Sequence, residues 1–276
     1  MHLILTGATG LIGSGVLDAM IKMKDVTKIS ILSRRPVPMA DAAKDPRINV
    51  IIHKDFTKYD QELLDQLKDA TGCVWALGIS QSAVGKEEYI KITKDYALAA
   101  AQAFQTLPVQ GPAQSPPSSP SSTKSPKHGP RPFHFVFVSG SGATFRPAFY
   151  SPIFARVKGE TELALAEMRR QNPLFKVNTV RPAFVDPLDH KEILSYIPKS
   201  TPALGFGGGL LIRAVGRGVK SIHSPTEPLG RFLTKMAMGK FDTTFEKEGG
   251  KIKFERLEGG FTVVENGALR RMAGLD

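Results

Sequence analysis

A doubly wound parallel α/β sheet is the fold that this 276-residue sequence predicts. Three observations carry the prediction. Short apolar runs alternate with helical patterns along the chain, which gives a parallel sheet with right-handed crossovers. A glycine-spaced turn joins the first apolar run to the first helical pattern. The run 132–138 is so apolar that both of its faces must be covered, as in a central parallel strand.

The elements follow in order. Leu3, Ile4 and Leu5 form the first strand, and Leu11, Ile12, Val16, Leu17, Met20 and Ile21 then recur at helical spacing. Residues 28–32 make the second strand and 48–52 the third. A helix over about 60–69 leads to a fourth strand at 72–77. A longer helix over 86–104 places Tyr89, Ile92, Tyr96, Ala99, Ala100 and Ala103 on one side. The segment 108–132 holds eight prolines and six serines and little that can pack, so it reads as a disordered insertion inside a single domain. After the central strand, which Ser139 ends, come a helix over 152–171, with Ser151 as N-cap and Pro152 as first helical residue, and a strand at 175–181 stopped by Pro182. Residues 183–227 are rich in Gly and Pro and predict loops and short helices capping the substrate side. A helix near 227–238, a strand pair or bulge near 252–264 and a short amphipathic tail complete the chain.

The first turn carries the strongest functional signal. Thr6-Gly7-x-x-Gly10-x-x-Gly13 stands between strand and helix, the context in which glycine spacing cradles a dinucleotide pyrophosphate. Gly7 permits the turn, Gly10 lets the backbone approach the phosphates and Gly13 lets the helix pack on the strand. Thr9, Leu11 and Ile12 belong to the same cradle. Twenty residues past Gly13, where an acidic side chain would hold the ribose of NAD, stand Ser33, Arg34 and Arg35. Guanidinium groups there favour a 2′-phosphate, hence NADP(H). Asp55 and Phe56 after the third strand either flank the adenine or form a turn and its apolar anchor. Leu77 and Gly78 close the fourth strand beside the expected nicotinamide ribose.

Composition narrows the remaining classes. Apolar content of 41% and charged content of 23% are those of a globular protein, and no run approaches a membrane span. The first strand starts at the N-terminus, which leaves no room for a cleavable leader and makes the cytosol the expected compartment. The net charge of +11 attracts anions, but the basic residues are scattered and no nucleic-acid motif accompanies them. Cys73, the sole cysteine, lies in an apolar run and reads as buried and inert. His53, His134, His190 and His223 have neither metal-ligand nor nucleophile-partner spacing and read as structural or exposed, while Trp75 and the fifth-strand aromatics read as core. No metal site is expected.

These motifs, together with Ala76-Leu77-Gly78, Lys91-Ile-Thr-Lys-Asp95, Val157-Lys158-Gly-Glu160, Val180-Arg181-Pro182 and Val264-Glu-Asn-Gly-Ala-Leu269, resemble the atypical short-chain dehydrogenase/reductases. More narrowly, they resemble the Tat-interacting oxidoreductase-like family and its fungal relatives at the outer mitochondrial membrane. The resemblance implies a Rossmann fold, NADPH binding, a Ser, Tyr and Lys catalytic set, and a role for Arg181 in turning the chain toward the nicotinamide. It also makes peripheral attachment to the mitochondrial outer membrane the alternative location.

The catalytic set is where the sequence departs from that pattern. In a Tyr-x-x-x-Lys pair on one helix, the ammonium lowers the phenol pKa and the phenol exchanges the substrate proton. Lys158 is present, but Phe154 stands four residues earlier. Tyr150 precedes the helix; even on an extended helix it would lie ~12 Å along the axis from Lys158, so it reaches the pocket only from the preceding loop. The usual serine pair reads Ser139-Gly140-Ser141, leaving either hydroxyl as candidate. Two functions remain: an NADP(H)-dependent oxidoreductase or related enzyme acting on a small apolar carbonyl or alcohol with a non-standard donor, or a catalytically silent NADPH-sensing protein with a protein partner.

Overall fold

The computed structural model describes residues 1–107, 131–198, 218–247, 252 and 254–276. Most of the proline-rich insertion and residues 199–217 of the expected substrate-side loops therefore lie outside the described residues. Strand β1 (His2–Thr6) is buried along its whole length and leads into α1 (Leu11–Lys22). There follow β2 (Lys28–Ser33), α2 (Pro38–Ala43), β3 (Ile48–Ile52) and α3 (Gln61–Leu67). The Asp60 carboxylate caps α3 by accepting from the Leu63 N–H at 2.9 Å, which satisfies one of the free donors of the first turn.

Strand β4 (Ala70–Trp75) ends two residues before the sequence reading placed its end, so Leu77 and Gly78 lie in the loop beyond it. The predicted 86–104 helix is present but interrupted: α4 (Lys86–Ile90) passes through a π turn at Lys91–Asp95 into α5 (Tyr96–Phe104). Strand β5 (Phe133–Val138), α6 (Ile153–Gln171) and β6 (Phe175–Arg181) come next. Ser151 is not the N-cap of α6. Its hydroxyl accepts from the Ala148 N–H at 2.9 Å and closes a turn over 148–151, while Pro152 takes the cap position.

The described part of 183–227 has the expected short helices, single 3-10 turns at Lys191–Ile193 and Lys220–Ile222, and in addition β7 (Phe184–Asp186), which pairs in parallel with β8 (His223–Pro225) in a second, two-stranded sheet. The chain finishes with α7 (Thr226–Ala237), α8 (Asp242–Glu246), β9 (Glu255–Arg256), β10 (Thr262–Glu265) and α9 (Asn266–Ala273).

The main sheet has the order β3-β2-β1-β4-β5-β6-β10-β9, parallel except for β9. The order reverses direction between β1 and β4, and ligands of open α/β sheets bind outside the carboxyl ends of strands at such a switch point. The two-residue period of the strands sorts β1 onto two cores. Leu3 and Leu5 pack with Val16, Met20, Phe232 and Leu233 on one face, and Ile4 packs with Phe56, Trp75, Phe104, Phe135 and Phe175 on the other. Each such apolar side chain, fully buried, contributes about 1.5–3 kcal/mol. Cys73 and Trp75 are in this core. Among the described residues, no helix is long and apolar enough to cross a membrane.

Candidate functional site

The β1–α1 turn is built by two close approaches. Gly7 adopts φ +72°, and a Cβ on it would sit 2.3 Å from the Ala76 carbonyl oxygen. A Cβ on Gly13 would sit 2.0 Å from the Gly7 carbonyl oxygen, so only glycine lets the first turn of α1 fold back on the loop. The Gly10 N–H closes the turn by donating to Gly7 O at 2.9 Å. No side chain caps α1 at Gly10. Its first-turn N–H groups and the positive end of its dipole therefore suit an anion, which is the fit a pyrophosphate requires.

At the end of β2, Arg34 and Arg35 are both exposed. The Ser33 hydroxyl donates to Arg35 O at 2.7 Å and fixes the turn, and the Arg35 guanidinium donates to Thr9 Oγ1 at 3.4 Å. Arg35 is thus the arginine leaning over the glycine loop. Asp55 and Phe56 resolve into the turn and its anchor. The Asp55 carboxylate accepts from the N–H and the hydroxyl of Thr57, at 3.1 and 2.6 Å, and Phe56 is 0% exposed with its ring edge-on to Trp75 at 5.9 Å. The Phe56 side chain belongs to the core and is withdrawn from any adenine.

A cleft of about 270 Å³ opens at the carboxyl ends of β1, β4 and β5. Gly10, Leu11 and Ile12 form one wall, Ala76 to Ser80 another, and Ser139, Lys158 and Thr93 the polar floor. The Leu77 N–H donates to Thr6 Oγ1 at 3.3 Å, and a Cβ on Gly78 would meet no protein atom within 4 Å, so the space beside it is open. Ser139 is buried, and its hydroxyl has no hydrogen-bond partner. Such an atom is costly unless something else satisfies it. Lys158 Nζ donates to the Ser139 carbonyl at 2.6 Å. Burial pushes its ammonium down to about 8, against the opposing pull of Glu162.

The other sequence candidates fall away from the cleft. Ser141 is exposed, with its N–H bonded to Pro182 O at 2.9 Å. Tyr150 is 77% exposed on the 148–151 turn, edge-on to Phe149 at 5.1 Å, and does not line the cleft. Arg181 turns the other way: its guanidinium bonds Glu162 Oε1 at 3.1 Å and Glu265 at 2.7 Å and lies over the Phe145 ring at 4.8 Å. Two carboxylates and an aromatic face hold it out of the cleft lining. Arg181 is a structural arginine rather than a cofactor ligand.

Three of the four histidines singled out in the sequence are held by carboxylates away from the cleft. His134 meets Asp242, His190 bridges Asp18 and Thr226, and His223 meets Asp186. No cluster suited to a metal occurs among the described residues.

No family model matches the chain. It is 30% identical over 257 residues to leucinostatins biosynthesis cluster protein T of Purpureocillium lilacinum, spanning 86% of this chain and 85% of that one. It is 38% identical over 143 residues to botcinic acid biosynthesis cluster B protein 16 of Botryotinia fuckeliana, 52% and 87% of the two chains, and 27% identical over 162 residues to the mitochondrial protein fmp52 of Emericella nidulans, 58% of each. Among solved structures, the fold matches the aldohexose dehydrogenase of Thermoplasma acidophilum (TM-score 0.61, 14% identity, 97% of this chain and 93% of that one). It also matches a short-chain dehydrogenase/reductase of Burkholderia thailandensis (TM-score 0.59, 14% identity, 99% and 95%). This chain is an atypical short-chain dehydrogenase/reductase.

As a short-chain dehydrogenase/reductase it keeps the lysine and one serine but lacks the phenol, because Phe154 occupies the helical position one turn before Lys158. Several site residues escaped the sequence reading, Ile79 among them. Thr93 enters the cleft because the π turn rotates it there, and a regular 3.6-residue period gives no sign of that rotation. Ser80 and Val185 arrive on loop and second-sheet segments with no local signature. Gln81 was also missed; its side-chain oxygen accepts from the Phe154 N–H at 3.1 Å and pins the 78–85 loop across the start of α6.

Proposed function

We propose that the chain binds NADP(H) in this cleft and interconverts a small, largely apolar carbonyl and its alcohol. The observation that carries the reading is the meeting, in one cleft, of an uncapped α1 N-terminus with the partnerless Ser139 hydroxyl and the Lys158 ammonium. Gly7, Thr9, Gly10, Leu11, Ile12 and Gly13 hold the pyrophosphate, Arg35 with Ser33 and Arg34 holds the 2′-phosphate, and Leu77, Gly78 and Lys158 flank the nicotinamide ribose. The bound coenzyme supplies or accepts the hydride. Ser139 donates to the substrate oxygen, which satisfies its own orphaned hydroxyl, and the apolar walls of Leu11, Ile79 and Val185 exclude water and favour an apolar substrate.

The test is NADPH oxidation by the purified protein with a panel of aliphatic and aromatic aldehydes and ketones, run beside calorimetric titration with NADPH and NADH. Binding of NADPH with turnover on apolar carbonyls supports the reading, and no binding of either coenzyme ends it. The missing phenol favours a second reading, an NADPH-responsive binding protein without turnover. NADPH binding with no carbonyl consumed, and a partner captured only in its presence, would select that reading. Relatives named as mitochondrial proteins support a mitochondrial location as the alternative to the cytosol.

A further inference from the structure

Lys158 has an unusual setting for a lysine. Its amine lies in the cleft with one protein acceptor, the Ser139 carbonyl at 2.6 Å, and among the described residues no ion pair reaches it. Glu162, one turn further along α6, is committed elsewhere: it is buried and receives Arg181 and the Thr179 hydroxyl. From the neighbouring π turn, Lys94 is paired with Glu160 at 2.9 Å, and the buried Tyr89 phenol is engaged with Thr93. On β6, Arg181 is neutralised by Glu162 and Glu265. Phe154, four residues before Lys158 on α6, has a hydrocarbon ring with no proton to give. Gly140 leaves the amine its room, since a Cβ there would come within 3.1 Å of Nζ.

A buried ammonium in a cleft of this kind, in no ion pair among the described residues and opposed in its desolvation only by the more distant Glu162, gives up its proton easily. The structure assigns to Lys158 itself, beyond ribose binding, the role of general acid in carbonyl reduction and of general base in the reverse direction. The inference rests on the proposed oxidoreductase reading. In the reduction, the carbonyl π bond breaks, a hydride from the reduced nicotinamide dinucleotide forms the new C–H bond, and an N–H bond of the ammonium breaks as the O–H bond forms. The coenzyme is left oxidised and the amine neutral, and the amine recovers a proton from water. Ser139 orients the carbonyl oxygen between them.

Three measurements test this. The first needs no turnover: reductive ¹³C-methylation followed by NMR titration of the free protein, with the Lys158 signal assigned by its loss in Lys158→Arg. A resonance titrating about two pH units below the other lysines is expected, and a Lys158 titrating with the rest overturns the proposal. The second compares the wild type with Lys158→Arg, using the carbonyl of the panel that is reduced fastest. Expected are NADPH affinity retained within about threefold, kcat lowered at least about 100-fold, and loss of the fall in reduction rate as pH rises through about 8. A variant that loses NADPH affinity but keeps kcat and the pH break shows ribose binding only and overturns the assignment. The third adds Phe154→Tyr to Lys158→Arg. A returning phenol should restore kcat at least tenfold and move the pH break upward; no restoration, in a variant that still binds NADPH, counts against the assignment. If the wild type binds no coenzyme at all, the oxidoreductase reading fails with it, an outcome distinct from each of these.

Discussion

Arg35 and Arg34 share a sequence signal but not a position. Arg35 reaches Thr9 across the glycine loop, whereas no bond to that loop ties Arg34. Removing charge-assisted bonds of this type costs about 1.5–3 kcal/mol. Arg35→Ala is therefore expected to weaken NADPH binding by roughly 10- to 100-fold while leaving NADH binding nearly unchanged, as calorimetry will read. His2 makes a second residue-level prediction. Burial, reinforced by Lys28, pushes its imidazole down to about 4, with its Nε2 against the Ser30 hydroxyl at 2.8 Å. A folded pKa below the unfolded value of ~6.5 means that the unfolded chain binds the proton more readily. The stability due to the neutral ring is present above ~6.5 and is lost as pH falls toward 4, by up to roughly 3 kcal/mol. Denaturant unfolding of His2→Gln should show a flatter stability profile over that interval. Phe56 and Arg181 illustrate the limit of residue-level reading, because each stands at a plausible sequence position and is turned away by a partner distant in sequence: Trp75 for one, Glu162 and Glu265 for the other.

Helix α6 is the element that organises the site. It carries Lys158 into the cleft and Glu162 toward Arg181 of β6, so one part of the helix lines the candidate site and another attaches to the sheet. Removing one partner of a buried ion pair strands the other, at a cost of about 3–5 kcal/mol. Glu162→Ala should thus lower the thermal midpoint by on the order of 10 °C in calorimetry, with Arg181 left to Glu265 and Glu255 at the rim. The β1–α1 junction is equally constrained. Gly13→Ala places a methyl group against the Gly7 carbonyl, so the start of α1 must move. NADPH affinity should fall at least tenfold even where the fold survives, measured by the same titration. The alternating apolar runs made these elements legible, including the extent of α6 to within a residue at its start, though not its cap. The π turn was not legible, because the apolar spacing across 86–104 reads as one continuous helix; within the turn Lys94 reaches Glu160 on α6, a tertiary contact with no local pattern.

At the scale of the whole molecule, the cleft gathers residues from the β1–α1 turn, α1, the post-β4 loop, the π turn, β5, α6 and β7. A ligand that binds only this assembled arrangement stabilises it by mass action, about 2.7 kcal/mol at a concentration 100 times its dissociation constant. NADPH at that excess should raise the thermal midpoint by several degrees, and by more than NADH at the same concentration; an equal shift for both would remove the assignment of Arg35 to a 2′-phosphate. By itself the sequence determined the α/β architecture, the glycine cradle, the arginine turn and the Phe154 and Lys158 pair, because those depend on periodicity and on neighbours a few residues apart. Only the tertiary structure decided which candidates share the cleft. Ser139 entered and Ser141 did not, Tyr150 was carried out to solvent on a closed turn, Arg181 was drawn to Glu162 and Glu265, and Thr93 lines the cleft from the π turn. The reason is physical: side-chain direction at a strand end or helix interruption is set by packing and ion pairing with segments tens to a hundred residues away, and that information is written in no local stretch of the chain.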